Sequence, residues 1–348
     1  MYFASDNTAP AHPKVIEAMA AVNTGYLPSY GEDEVTEAAR DRIRELFEAP
    51  DAAVHFVTTG SAANVLALSL YTQPYQTVFC SGVAHIHTDE CGAPEFYTGG
   101  AKLTLLDHEH GKITPKTLQD AIQSIVPNDP HLVQPGSVSI TNITECGTLY
   151  SPAEVAAISK VCKVHNLPFH MDGARFANAL VASQASPAEM TWRAGVDVLS
   201  FGGTKNGLIG VEAVVIFDPV KAWEFELRRK RGGHLLSKNR YLAAQMQAYL
   251  TDGLWLDMAQ TANEAADRLE KVLASHAAAT IAHPRQSNAV FVNLPRGHHR
   301  RLLDRGAVYS VAGPLDGPDD EILTARLMCS WCTTAEEVDA FSALLAEL

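Results

Sequence analysis

Read for its alternation of apolar and polar positions, the chain shows two textures. Between residues 54 and 218, short β-branched or apolar runs take turns with longer amphipathic ones, the pattern of βα units around a mostly parallel sheet. The runs VHFVTT (54–59), TVFCSG (77–82), KLTLL (102–106), SVSITNI (137–143), PFHMD (168–172), DVLSF (197–201) and EAVVIF (212–217) predict seven strands. Helical periods fill the gaps, as in Pro115 to Ile125 and Pro152 to His165. Two more helices, His12 to Val22 and Asp33 to Glu48, lie around the loop GYLPSYGED. After residue 219 long helices take over, notably Trp255 to His276. Strands in NAVFVNL (288–294) and LTARLMCSW (323–331) follow, then a last helix opened by a capping box of Thr333 and Glu336. The expected fold class is α/β. A seven-stranded, mostly parallel sheet with helices on both faces occupies residues 1–250, and a smaller C-terminal α/β domain occupies 251–348. No internal repeat is visible.

At 348 residues the chain exceeds what one core usually organises, which agrees with two domains. With 47% hydrophobic and 19% charged residues it has the composition of a compact protein. A net charge of −13 excludes nucleic acid as the main partner, because phosphate backbones are bound through basic surfaces. One basic run, Arg228-Arg229-Lys230-Arg231, is either an anion site or a solvated helix end. No apolar run approaches the roughly 18 residues that span a bilayer. The opening MYFASDNTAP lacks the basic and apolar regions of a secretory signal, so the expected location is the cytoplasm. The cysteines at 80, 91, 146, 162, 329 and 332 are scattered, as reduced thiols are. Cys329 and Cys332 have metal or redox spacing, but no second pair accompanies them, and core packing is the expectation.

In open α/β sheets ligands bind beyond the carboxyl ends of the strands, and five strand ends stand out. TTGSAAN (58–64) is a turn whose Gly60, Ser61 and Ala62 N–H groups would face an anion; the alternative is a helix start of small residues made for close packing. His85 and His87 in HIHTDE are placed to stack on a planar ligand, to move protons, or simply to sit at the surface. With no third ligand beside them, no metal is expected. Asp172 ends a strand in HMDGAR, with Arg175 one turn on; the two either pair with each other or serve a ligand. Lys205 in SFGGTKNG sits at the tip of an apolar strand, where desolvation would favour the neutral amine that forms a Schiff base. The glycines beside it would let a bulky ligand approach. Arg326 lies inside an apolar strand and demands an anion, either a substrate carboxylate or a structural acid. An anion turn, a His, a strand-end Asp and then a Lys form the set that a pyridoxal phosphate site requires.

Over its full length the chain resembles the threonine aldolases, of the low-specificity L-threonine or phenylserine branch, within the fold-type-I pyridoxal phosphate enzymes. The matching segments are SDNTAPAHP, SYGED, TGSAAN, AHIHTDECGAPEF, HMDGARFANAL, SFGGTKNG and RLMCSW. The resemblance implies pyridoxal 5'-phosphate as cofactor, with Lys205 bound to its aldehyde, Asp172 on its ring nitrogen and His85 stacked on the ring. It implies Gly60, Ser61, Ala62 and Thr204 around the phosphate, and Arg175 against the cofactor. Ser5, Tyr30, His85, Arg175 and Arg326 would bind substrate, with the N-terminal 50 residues near the site. The implied activity is cleavage of L-threonine, L-allo-threonine or 3-phenylserine to glycine and an aldehyde, with the reverse addition. The implied assembly is a homotetramer with active sites at a dimer interface, to which Tyr30 or the basic run would come from a neighbouring chain. An aminotransferase or β-eliminating lyase would use the same Lys and Asp, and a non-catalytic cofactor-binding module is the reading outside enzymes. The chain departs from the commoner family pattern at TNITECGT (141–148). Thr144 stands there where many relatives carry a His near the substrate hydroxyl, with Glu145 beside it. The base for that hydroxyl is then His85, His87 or a water.

Overall fold

The computed structural model describes residues 1–348. Seven strands form one sheet: β1 (Ala53–Val57), β2 (Gln76–Ser81), β3 (Lys102–Leu106), β4 (Gln134–Thr141), β5 (Phe169–Gly173), β6 (Val198–Gly202) and β7 (Glu212–Ile216). Their order is β1-β7-β6-β5-β4-β2-β3, and only β7 runs against its neighbours. Strands β1, β5, β6 and β7 are buried along their whole length, which is why they read as continuous apolar runs. The edge strand β3 begins with an exposed lysine, which blunts the open edge.

The helices begin where the sequence supplies caps. Pro152–Val164 opens with a reciprocal capping box between Ser151 and Glu154, and Pro115–Ser124 with one between Thr114 and Thr117. Gly60–Tyr71 is buried from Ala62 through Leu70, so a sequence of small and aliphatic residues carries it through the interior. Apolar clusters lie on both faces of the sheet. One includes Phe47, Phe176, Phe201, Tyr249 and Trp255, and the other includes Val57, Ala63, Leu66, Val214 and Phe225.

A second, antiparallel sheet of order β10-β11-β9-β8 consists of β8 (Thr280–Ile281), β9 (Ala289–Pro295), β10 (Ser310–Val311) and β11 (Ile322–Met328). The two-residue strands β8 and β10 are too short to leave a period in the sequence. Helices Leu254–Ala274 and Ala335–Leu345 cover this sheet, and their apolar faces share its core with Phe3. Phe3 arrives there because its N–H donates to Val308 and its carbonyl accepts from Met328, each at 2.7 Å. The last helix is capped one residue later than expected, by Thr334 with Glu337. The Thr333 hydroxyl instead accepts the Ser330 N–H at 2.9 Å, closing the turn before the helix. No helix is long and apolar enough to cross a membrane.

Phe201 sits at the centre of the aromatic cluster, with ring centroids of Phe47, Phe176 and Trp255 at 5.5, 5.8 and 5.6 Å. Phe201→Ala is expected to cost about 3–5 kcal/mol of unfolding free energy, read as a lower urea midpoint. A loss below roughly 1 kcal/mol would show that the cluster closes around the hole.

Candidate active site

A cavity of about 410 Å³ opens at the carboxyl edge of the parallel strands. Its wall includes Gly60, Ser61, His85, Asp172, Arg175, Thr204 and Lys205, which come from four different strand ends. Sheet topology brings them together, because β1, β2, β4, β5 and β6 all end on this side. The antiparallel β7 starts there, so its first residue, Glu212, also lines the cavity.

Lys205 is half-buried and has no ion-pair partner. The nearby Arg175 guanidinium and burial together push its ammonium below the usual lysine range, which favours the free amine. The glycines before it serve the protein's own packing. A Cβ on Gly202 would meet the Ala174 carbonyl carbon and Cα at 2.7 Å each, backbone atoms that cannot move aside.

Asp172 is buried, with Oδ2 accepting from Asn64 Nδ2 at 2.8 Å and Oδ1 from the Ala174 N–H at 2.9 Å. Each oxygen retains a lone pair for another donor. Asp172 and Arg175 do not pair. Arg175 forks onto Asp6, Nε to Oδ2 at 2.6 Å and Nη2 to Oδ1 at 2.9 Å. Burial alone would raise the Asp6 pKa, but Arg175 reverses that and holds it below the carboxylate range. His170, one turn of the pleat from Asp172, hydrogen-bonds Ser139 and Ser200 at 2.9 and 3.0 Å, and burial drops its pKa to about 4.

His85 lies on the opposite wall. Its Nδ1 meets Glu90 Oε1 at 2.8 Å, and that hydrogen bond raises the imidazole pKa. Asn64 Nδ2 also donates to Glu90 Oε1, at 3.0 Å, so one amide joins the carboxylates of Glu90 and Asp172. His87 is exposed on the short helix His85–Thr88 and lies outside the cavity wall.

At the start of Gly60–Tyr71, the Ala62 N–H donates to the capping Thr59 hydroxyl at 3.1 Å, which leaves Gly60 and Ser61 as the open donors. The Thr204 hydroxyl is buried without a partner. Two free N–H groups at a helix N-terminus and an orphan hydroxyl fit a phosphate, and a partnerless amine facing a strand-end carboxylate fits the rest of a pyridoxal group.

The remaining candidates lie around this wall. Arg326 is half-buried near Asp6 and Arg175, with Nη2 3.4 Å from the Ala4 carbonyl and a buried Nε without an acceptor. Ser5 caps a short turn by accepting the Asn7 N–H at 3.2 Å, and Asn7 rather than Ser5 reaches the wall. Tyr30 is exposed and stacks under Lys230 at 4.8 Å, away from the cavity. The basic run disperses: Arg228 pairs with Glu224 at 2.6 Å, and Arg229 is fully buried beside Glu226. Cys329 is buried in the small core and Cys332 is half-buried, both as free thiols.

Asp6, Asn64, Glu90, Glu145 and Glu212 belong to the site and were not singled out as site residues. Burial lifts Glu212 to about 7, although its carboxylate accepts the Gly203 N–H at 2.6 Å. Asn64, four residues after Gly60 on the same helix, was the one findable by spacing.

Residues 2–296 match the profile of the beta-eliminating lyase family. A low specificity L-threonine aldolase of Pseudomonas aeruginosa is 44% identical, over 97% of this chain and 94% of that protein. One from a Pseudomonas species is 41% identical, over 98% and 96%. The structure of a Leishmania major threonine aldolase superposes with a TM-score of 0.93 at 30% identity, covering 99% of this chain and 98% of that one.

The Glu90 contact makes a specific prediction. Because the folded pKa of His85 is raised, the pair stabilises the fold fully below the ordinary imidazole value and is lost as pH rises through the raised one. In Glu90→Gln the His85 ring resonances should titrate at lower pH than in the wild type, by NMR. An unmoved midpoint would remove Glu90 as the cause.

Proposed function

The chain belongs to the beta-eliminating lyase family and, within it, to the low-specificity L-threonine aldolases, and from that premise we propose its reaction. It cleaves L-threonine, L-allo-threonine and other L-3-hydroxy-α-amino acids, 3-phenylserine among them, to glycine and an aldehyde, and it runs the reverse addition. The enzyme is a lyase with pyridoxal phosphate as cofactor. When bound, this cofactor supplies an aldehyde for amines and a ring that withdraws electrons from the substrate Cα.

One observation carries the reading: a partnerless amine, a strand-end carboxylate and an orphan hydroxyl beside two open N–H groups share one cavity. In this reading Lys205 gives its amine to the aldehyde, and the N–H groups of Gly60 and Ser61 hold the phosphate with the Thr204 hydroxyl. Ala62 adds its place at the helix start. Asp172 would hold the ring nitrogen through its carboxylate, and His85 would lie beside the ring. Arg175 and Arg326 would grip the substrate carboxylate, with Ser5 capping the turn beside them. By fixing the carboxylate, that grip would orient the substrate and so select which bond at Cα is cleaved.

Residues 1–250 would form the cofactor-binding domain and 251–348 the smaller domain that contributes Arg326. The exposed apolar side chains of Val220, Trp223 and Leu227 support a contact between copies, here a cytoplasmic homotetramer with active sites at a dimer interface. Tyr30, away from its own cavity, would then serve a neighbour's.

Purified protein incubated with L-threonine, L-allo-threonine and L-3-phenylserine should yield aldehyde and glycine in equal amounts. Lys205→Ala should lose the visible cofactor band and, on the order of 10³-fold or more, the cleavage. Release of ammonia and a keto acid instead would reassign the chain to elimination, and amino transfer to a keto acid would reassign it to the aminotransferases.

A further inference from the structure

The aldolase reading leaves one proton without an acceptor, that of the substrate β-hydroxyl. Thr144, where many relatives carry a His, is buried away from the cavity and spends its hydroxyl on Thr148, at 2.7 Å, and on the His110 carbonyl. Its neighbour Glu145 lines the cavity instead. We propose that the Glu145 carboxylate is the catalytic residue that takes the β-hydroxyl proton.

The geometry favours it over the other carboxylates and the imidazole on the wall. Glu145 Oε1 is fixed by the His85 N–H at 2.8 Å and the Thr141 hydroxyl at 2.7 Å, and its own backbone N–H also faces the carboxylate, while Oε2 accepts from no other residue and is not among the sealed, partnerless atoms. One oxygen anchors the group and the other is free to accept. The same backbone bond ties Glu145 to His85, the residue assigned to the ring face. His85 is committed elsewhere, with its Nδ1 on Glu90 at 2.8 Å and its ring assigned to the cofactor face. Glu212 is fastened to the Gly203 N–H at the Lys205 loop, and Asp172 is held by Asn64 and Ala174. His87 lies outside the cavity. Burial also raises the Glu145 pKa, which strengthens it as a base near neutral pH.

The step balances. The O–H bond breaks and its proton goes to Glu145; the oxygen pair forms the aldehyde C=O as the Cα–Cβ bond breaks. The electron pair of that bond stays on the Cα side until a proton reaches it, giving glycine. One proton leaves oxygen and one arrives at carbon. The titratable groups facing Glu145 are His85, Asp172, Arg175, Cys80, Cys146 and Tyr150; burial pushes both thiols and the phenol up, so they stay neutral.

This inference rests on the aldolase reading, and its test separates the two. Glu145→Gln keeps an Oε1 that can accept both anchoring bonds. The holoenzyme variant should retain its visible cofactor band, the calorimetric Kd for glycine and the exchange of the glycine α-proton, none of which involves a hydroxyl. Cleavage of L-threonine should fall roughly 10²–10⁴-fold, and the acid limb of its pH profile should disappear. Cleavage within a few-fold of wild type would overturn the proposal, as would loss of glycine binding and exchange together with cleavage. Should the glutamine variant misfold, Glu145→Ala with added acetate decides: recovery of cleavage supports the base, and no recovery overturns it. Wild-type protein that exchanges the glycine proton yet releases no aldehyde would sink the aldolase reading and this inference with it.

Discussion

A lysine ammonium and an arginine guanidinium share one half-buried cavity, and only the arginine has been given a counter-ion. Asp6 closes on Arg175 with two short bonds, while Lys205 receives none. Like charges brought together away from water repel, and the repulsion is relieved when the stronger acid of the two, the lysine ammonium, loses its proton. Removing Asp6 from this arrangement would leave two cations competing, and giving Lys205 a partner of its own would restore its charge. The rest of the site follows from keeping this imbalance. Carboxylates around it are each occupied elsewhere: Asp172 by Asn64 and Ala174, Glu90 by His85 and Asn64, Glu212 by Gly203. Local rules of burial and pairing are broken here, while the caps and apolar runs elsewhere obey them, which is how a functional site stands out in a consistent fold.

The legible part of the sequence was the part written in local periods. Buried strands announce themselves as apolar runs, so Gly60, Ser61, His85, Asp172, Arg175 and Lys205 can be placed at strand ends from the sequence. What stayed hidden depends on pairs far apart in the chain. Asp6 meets Arg175 across 169 residues, and Asn64 meets Asp172 across 108. Neither carries a local mark, and the Asp172–Arg175 pairing suggested by sequence proximity was the wrong partner for both. The cap at Thr334 was missed by one residue because two adjacent threonines offer the same hydroxyl, and only the turn at Ser330 decides between them.

Strand direction explains another omission. A glutamate opening an apolar run reads as a surface residue at the entrance to a strand. In a sheet of uniform direction that entrance would lie opposite the ligand edge. Because β7 alone is reversed, Glu212 pairs across from Gly202 and Val57 and so stands beside the Lys205 loop. Direction is a property of the whole topology and is invisible in any single window.

The N-terminal strap has a consequence for how the protein is made. Residues 3 to 7 bind the first sheet's site through Asp6 and the second sheet's core through Phe3, while Asn288 donates to Asp6 at 3.1 Å. The strap's partners in the second sheet lie 282 to 325 residues further along the chain. During synthesis the strap therefore leaves the ribosome long before the second-sheet surfaces it will join exist. The strap's contacts with β9 and β11 thus close only once those last segments have been made, which ties the two ends of the chain into one structure.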